Sequence, residues 1–258
     1  MGGGLLYNWI GDARLIVLNG MVGATGNIYV GLMEYEDMSF LLHYLQKDDI
    51  FFDIGANVGV YTILASKVKE AKSISVEPLP STYEKLIDNI NINRLKNTKH
   101  LNIGLANEKS KLYFTSDKDT MNSVATKNDK NKIEVEVDTL DNLSITYGSP
   151  KSIKIDVEGY ERKVLSGAEK TLQDENLEVV ILELNGSGKK FGFSDDDIHN
   201  YMKDYGFLPY SYNPFKRNLS ELSSYGKHNT IYIRKNCIES IKEKVINSEA
   251  FNVNGINL

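Results

Sequence analysis

Four acidic residues sit at or near the ends of short apolar runs: Asp53 in Ile50–Ile54, Glu77 closing Ser73–Glu77, Asp156 closing Ser152–Asp156, and Glu183 in Val179–Leu184. Apolar runs of this length, bounded by turn signals, read as buried strands. An acid at the tip of such a strand faces the crevice outside the carboxyl end of an open α/β sheet, where ligands bind. Carboxylates there can accept hydroxyl protons of a ligand, serve as general bases, or hold a hard divalent ion.

The turn after Asp53 is Gly55-Ala56-Asn57-Val58-Gly59. Glycine allows positive φ and lets a ligand approach main-chain N–H groups without meeting a Cβ. The N–H groups of the first helical turn that follows are expected to face the same crevice. The pattern is not the dinucleotide fingerprint, which needs G-x-G-x-x-G to seat a pyrophosphate. An acid at the strand tip suits a cationic or hydroxyl-bearing ligand instead. The order D-x-G-A-N-x-G resembles the S-adenosylmethionine (SAM) loop of class I methyltransferases; the alternative is a turn that uses glycine only for packing. Glu77 follows at about the spacing of roughly 20 residues that separates a glycine turn from a ribose-binding acid, and Pro78 stops its strand. A solvated strand-end glutamate is the plainer reading of Glu77.

Helices alternating with these strands call for a parallel sheet, because each parallel crossover needs a connection of helical length. Apolar spacing predicts helices over Asn57–Lys69, Tyr83–Ile92, and a stretch carrying Val164, Leu165, Ala168 and Leu172. Ser194 is expected to cap a helix running to Tyr205, with Asp195, Asp196 and Asp197 in its first turn. His100–Leu105 reads as a third core strand. Leu112–Thr115 and Ile133–Val137 read as strands of a β-rich insertion, joined by a polar, aperiodic loop over Asp117–Lys132 that can cover a substrate. Phe207–Tyr212 and Thr230–Arg234 are expected to close the sheet as an antiparallel hairpin. Upstream, Arg14–Leu18 and Asn27–Val30 read as an N-terminal hairpin, and Met38–Leu45 as a helix packed on the sheet end. Glu34 and Glu36 lie where they either border the pocket mouth or sit on the surface. The tail Cys237–Leu258 suggests no function.

The chain has 258 residues, a net charge of -5 and one cysteine, Cys237. The length suits one core domain, expected over 46–236, with an N-terminal extension over 1–45 and a tail over 237–258. The acidic balance argues against a nucleic-acid partner, and one cysteine allows neither an internal disulfide nor a cysteine-based zinc cage. No apolar run reaches the roughly 18 residues of a membrane span, and the N-terminus lacks a secretory pattern, so a cytoplasmic location is the expectation.

Six segments then follow one another in order: F-F-D-I-G-A-N-V-G-V-Y-T, V-E-P-L-P, V-D-T-L-D, K-I-D-V-E-G-Y-E, V-L-S-G-A and I-L-E-L-N. Together, across about Gly31 to Arg234, they resemble the FkbM family of SAM-dependent methyltransferases. The resemblance implies a Rossmann-like, seven-stranded α/β sheet of order 3-2-1-4-5-7-6. It further implies O-methylation of a sugar hydroxyl, on a small-molecule sugar, a nucleotide-linked sugar or a surface-polysaccharide precursor. On this basis Asp53, Gly55, Ala56, Asn57 and Gly59 would line the methionine end of SAM. Glu77, followed by Pro78, would hold the ribose, and Asn102, Gly104 and Leu105 would flank the adenine. Asp138 would contact SAM or, equally, cap the turn at Thr139–Leu143.

A sugar hydroxyl is a poor nucleophile, so the chain must also supply a base or a metal. Asp156, Glu183 and Asn185, side by side at the ends of two strands, suit Mg²⁺, or Mn²⁺ or Fe²⁺ if an imidazole joins them. The set is similar to that of catechol-type O-methyltransferases, although here the asparagine lies two residues beyond a glutamate. His228 is the best-placed imidazole, as a further ligand or as the general base. Glu158 is a second catalytic candidate beside Asp156, with helix capping as its alternative. Lys154 is expected to form a salt bridge. A catalytically silent SAM-binding module and a nicotinamide-dependent dehydrogenase are the rival readings. The aromatic group Tyr201, Tyr205, Phe207, Tyr210, Tyr212 and Phe215 belongs to the core or stacks on a sugar.

Overall fold

The computed structural model describes residues 4–17, 22–116 and 122–258. Strands β1 (Leu5–Asn8) and β2 (Arg14–Val17) form an antiparallel hairpin, followed by helices α1 (Val22–Val30) and α2 (Tyr35–Tyr44). The N-terminal hairpin therefore differs from the expected one. Arg14–Val17 pairs with Leu5–Asn8, Leu18 lies outside the described residues, and Asn27–Val30 is the end of α1. Its β-branched and aromatic residues favour strand only weakly. What decides is the cap: Gly31, at φ +79°, donates to the Asn27 carbonyl at 3.0 Å, and the buried Asn27 Oδ1 accepts Met33 N at 2.9 Å.

The core then runs through β3 (Ile50–Ile54), α3 (Val60–Ile63) continued by a π turn over Leu64–Val68, β4 (Lys72–Val76), α4 (Pro80–Ile92) and β5 (Thr98–Leu101). The expected strand His100–Leu105 is in fact two. Asn102 Nδ2 donates to the carbonyls of Glu77 and Pro78 at 2.9 and 3.0 Å, a side chain taking the place of ladder bonds. Beyond it, β6 (Gly104–Leu105) joins a separate three-stranded sheet with β7 (Ser110–Thr115) and β8 (Lys132–Asp138). This is the β-rich insertion. Residues 117–121 of its connecting loop lie outside the described residues; further on, Val124 forms a bridge with Phe114.

After α5 (Leu140–Tyr147) and β9 (Ser152–Ile155) come α6 (Glu161–Ser166) and α7 (Glu169–Gln173), two helices where periodicity suggested one. Gly167 separates them because the Ala106 carbonyl presses on it: a Cβ there would lie 2.2 Å from that oxygen. Strand β10 (Val179–Glu183), helix α8 (Asp195–Asp204), β11 (Phe207–Asn213), β12 (Asn218–Glu221), β13 (Asn229–Arg234), α9 (Ile238–Ile246), β14 (Asn252–Val253) and β15 (Ile256–Asn257) complete the chain. Ser194 caps α8 through a full capping box with Asp197, as the sequence indicates.

The central sheet has eight strands in the order β12-β11-β13-β10-β9-β3-β4-β5. With β3, β4, β5, β9, β10, β11 and β13 taken as strands 1 to 7 of the core, the order is 3-2-1-4-5-7-6, with β13 antiparallel to both neighbours. Strand β12, unforeseen from the sequence, adds an eighth at the edge. Successive residues of each inner strand enter opposite cores. Phe51, Val179, Ile181 and Ile231 pack toward α2 and α9, whereas Phe52, Val180, Leu182 and Tyr232 pack with Leu143, Val164, Leu172 and Met202. Both faces are covered, which explains why these strands read as continuous apolar runs rather than alternating ones.

The tail has a structural task. Ile238, Ile241, Val245, Phe251 and Val253 share one core with Trp9, Leu15 and Leu32. Among the described residues, no helix is long and apolar enough to cross a membrane.

Candidate active site

Strand register sets the level of the site. Asp53 stands opposite Lys154 across β3 and β9, Ile155 opposite Leu182 across β9 and β10, and Ile54 opposite Val76 across β3 and β4. The residues just past these strand ends, Gly55, Glu77 and Asp156, therefore share one rim with Glu183. The rim lies where strand order reverses between β3 and β9, the usual binding crevice of such sheets.

On one side of the rim, Glu77 is buried and bonded on both oxygens. Oε2 accepts Asn57 N and Oε1 accepts Leu79 N, each at 3.0 Å. Burial pushes its carboxyl up to about 7, against the pull of those two N–H groups. A carboxylate offers about four lone-pair sites, so each oxygen can still accept a ligand hydroxyl. The N–H groups of Gly55 and Ala56 both donate to the Val76 carbonyl at 2.9 Å. The N–H groups of residues 55–57 thus hold the loop together ahead of α3. Gly55 is required by close approach: at φ +78°, a Cβ would sit 1.8 Å from the Asp156 carbonyl oxygen. Gly59, at φ +89°, caps α3.

A pocket beside this loop is lined by Gly55, Asn57, Glu77, Pro78, Gly104 and Leu105, with Phe114, Val124 and Tyr160 on its far wall. The expected Asn102 and Asp138 are not on it. Asn102 braces the ends of β4 and β5 from behind. Asp138 Oδ1 accepts Thr139 N at 2.8 Å and Asn142 Nδ2 at 2.7 Å, while Thr139 itself caps α5.

A second pocket adjoins the first, sharing Gly55, Asn57, Asp156 and Glu158 with it, and adding Asp53, Ala56, Tyr61, Lys154 and Glu183. Asn27, Met33, Glu34 and Met38, from α1, α2 and the turn between them, form its outer wall. Asp53 is 1% exposed and accepts Thr62 Oγ1 at 2.6 Å. Burial lifts its carboxyl to about 6, although Lys154 and Thr62 pull the other way. Lys154 forms the expected salt bridge, with Nζ 2.8 Å from Asp156 Oδ2, and stands 4.7 Å over the Tyr61 ring. Burial works against its charge, but Asp156, Glu34 and Asp53 outweigh it and hold the ammonium protonated. Three buried atoms on this pocket, Glu34 Oε2, Tyr61 Oη and Glu183 Oε2, make no hydrogen bond of good geometry, although Tyr61 lies near Glu34 and Glu183 near Asp156. Leaving such a group unsatisfied costs roughly 1–3 kcal/mol, so each marks a place where a ligand can contribute.

Carboxylate oxygens of Asp156, Glu158 and Glu183 lie within 4.8 Å of one another. This trio departs from the expected set. Asn185 is exposed, and its Oδ1 accepts Ser187 N at 2.9 Å where the chain turns away past β10. His228 is exposed on a neighbouring groove with Tyr35 and Tyr210, and its carbonyl accepts Leu184 N at 2.7 Å. Glu158 takes their place because the chain doubles back after β9: Glu158 has φ +54° and Gly159 φ +100°. Buried Glu161 fixes that turn by accepting Val157 N and Gly159 N at 3.2 and 3.0 Å. Burial, then the Asp156 charge, raises the Glu158 carboxyl, and burial with Asp156 raises Glu183 as well. Asp156 is held low: burial opposes this, but Lys154 prevails.

Sequence reasoning had no signal for Asn27, Met33 or Tyr61 as pocket residues, beyond the position of Tyr61 just after the glycine loop.

A family model described as the methyltransferase FkbM domain matches residues 53–209. The hexuronic acid methyltransferase AglP of Haloferax volcanii is 27% identical over 150 residues, covering 57% of this chain and 61% of that protein, less than two-thirds of its length. Among solved structures, precorrin-6y C5,15-methyltransferase of Geobacter metallireducens gives a TM-score of 0.45 at 14% identity, over 78% of this chain and 87% of that one. TYW2 of M. jannaschii, in complex with AdoMet, gives 0.44 at 14% identity, over 91% and 88%.

Proposed function

The chain belongs to the FkbM family of methyltransferases, and from that premise we propose that it transfers a methyl group from SAM to a sugar hydroxyl. The observation that carries the reading is the meeting of two pockets at Asp156 and Glu158, one built around Glu77 and the glycine loop, the other acidic and edged by unsatisfied polar atoms. The first suits a nucleoside: Glu77 keeps lone pairs for ribose hydroxyls, and Leu105, Phe114 and Val124 offer an apolar wall for a base. Asp53 and Asp156 then lie on the methionine side, where negative charge favours a sulfonium. The sugar is supported by the name of the Haloferax relative.

Bound SAM supplies an electrophilic methyl carried by a good leaving group. The residues of this chain position the acceptor oxygen and take its proton. The O–CH₃ bond forms as the S–CH₃ bond breaks, and the hydroxyl proton passes to Glu158. Its carboxyl, raised by burial and by the Asp156 charge, holds a proton more readily than an ordinary glutamate does. Lys154, kept charged by three surrounding acids, cannot act as the base; it anchors Asp156. Asp156, Glu158 and Glu183 also fit a hard divalent ion such as Mg²⁺ or Mn²⁺ through their oxygens; with it in place Glu158 would act as a ligand rather than as the base, and the ion would acidify the acceptor hydroxyl instead. Asn185 and His228 lie outside this trio, His228 on the adjoining groove that shares Met33, Glu34 and Glu183 with the second pocket.

The test is titration calorimetry with SAM, followed by the Asp53→Ala and Glu158→Gln variants. Binding that weakens in Asp53→Ala, with transfer but not binding lost in Glu158→Gln, is the expected result. Wild-type protein that does not bind SAM would overturn the proposal.

A further inference from the structure

The second pocket is rich in carboxyl groups, of which burial and the Asp156 charge keep Glu183 protonated near neutrality by raising it to about 9. Glu34, Asp53, Asp156, Glu158 and Glu183 line it against Lys154 as the single cation among its described lining residues, and Lys154 is already paired with Asp156 at 2.8 Å. On the acceptor side two unsatisfied atoms have complementary chemistry. Tyr61, 5% exposed, presents a phenol and Glu34 a carboxylate oxygen; the two stand close enough to interact, yet neither atom has a hydrogen bond of good geometry. Both residues belong to the same pocket. Tyr61 stays a neutral donor, because burial and the Glu34 and Asp37 charges drive its ionisation far above the ordinary range.

Resting on the methyl-transfer reading, we infer that Tyr61 and Glu34 select the acceptor, holding one hydroxyl of an uncharged sugar and turning away its uronic acid counterpart. A hydroxyl is a donor and an acceptor together, so it can take the Tyr61 proton and give its own to Glu34. A carboxylate can do only the first. It would leave Glu34 unsatisfied and set a second negative charge directly against the Glu34 carboxylate, in surroundings where like charges interact strongly. A site built to hydrogen-bond a hydroxyl discriminates strongly against a ligand that cannot complete the pair, because its own buried groups are then stranded. The inference separates this chain from its Haloferax relative, whose name specifies a hexuronic acid.

The probes are the methyl glycosides of glucose, galactose and mannose, each paired with its uronic acid, titrated into protein saturated with S-adenosylhomocysteine. At least one neutral glycoside should bind about tenfold or more tightly than its uronic partner. Tyr61→Phe, which keeps the ring under Lys154, and the isosteric Glu34→Gln should each weaken that glycoside threefold to tenfold and leave S-adenosylhomocysteine affinity unchanged. A uronic acid that binds as well as its neutral partner would overturn the inference. So would unchanged sugar affinity in both variants, or no glycoside binding to the loaded protein. Failure of S-adenosylhomocysteine itself to bind would instead remove the methyl-transfer reading, and this inference with it.

Discussion

The Glu77 carboxylate accepts the Asn57 backbone N–H at 3.0 Å, so the acid that closes β4 also holds the loop that follows β3. Loop shape, and on the proposed reading cofactor contact, depend on one side chain. Glu77→Ala should therefore weaken SAM binding by roughly ten- to a hundredfold, the range expected for losing hydrogen bonds to a charged group. Titration calorimetry measures it; a change under threefold would separate Glu77 from the donor site.

The same carboxyl sets a pH dependence. Burial raises it to about 7 in the folded chain from an ordinary value of 4.5. The folded state thus binds a proton that the unfolded state has released, and the resulting stabilisation is complete below about 4.5 and lost as pH rises through about 7. Ribose binding needs the ionised form, so SAM affinity should move the opposite way, falling as pH drops below about 7. Calorimetry and urea unfolding across pH 5 to 8 should show the two trends crossing, and Glu77→Gln should flatten the stability component.

Lys154 is 4% exposed and faces Asp156, Asp53 and Glu34. Lys154→Met leaves those acids without their counter-charge. Breaking a buried pair from one side typically costs about 3–5 kcal/mol, and the partial exposure of Asp156 places the expected loss near the lower end. Urea denaturation is the measurement. A loss below about 1 kcal/mol would mean that the acids relax into solvent.

How much of this was legible in the sequence follows from how far each signal reaches. Asp53, Gly55 and Glu77 announce themselves through a local pattern, an apolar run ending in an acid and a glycine turn, and the strand order came with the ordered motifs. Glu158, Asn185 and His228 depended on the direction a chain takes after its strand, which periodicity does not encode. Three residues past β9, the positive φ of Glu158, followed by that of Gly159, folds the carboxylate back over the sheet. Two residues past β10, Asn185 is committed to Ser187 and solvent. Asn27–Val30 misled because its side chains suit a strand, while a buried asparagine and Gly31 close it as a helix.

The carboxylate trio predicts metal binding with a spectroscopic readout. Mn²⁺ added to the protein should lose its free-ion paramagnetic resonance signal on binding, and Glu183→Gln should weaken that binding by about tenfold or more. Methyl transfer should stop in chelator and return with Mg²⁺ or Mn²⁺. Full activity in chelator, with no Mn²⁺ bound, would remove the ion from the mechanism.

Gly55→Ala tests the close approach of two strands. A Cβ would lie 1.8 Å from the Asp156 carbonyl, at a φ of +78° that alanine adopts at a cost of roughly 1–2 kcal/mol. The loop must shift. A stability loss of at least about 2 kcal/mol and undetectable SAM binding are expected, read by thermal unfolding and calorimetry.

Asn27, Met33, Glu34 and Met38, the outer wall of the second pocket, all precede the family match at 53–209. They are clamped from the far end of the chain, where Asn254 Nδ2 donates to the Ile28 carbonyl at 3.3 Å and Asn254 Oδ1 accepts Tyr7 Oη at 2.8 Å. On the proposed reading the acceptor side is thus drawn from two stretches of polypeptide, Tyr61 within the matched domain and the outer wall before it. Exchanging the front segment together with its C-terminal clasp would rebuild that outer wall while leaving Tyr61, the glycine loop and Glu77 in place.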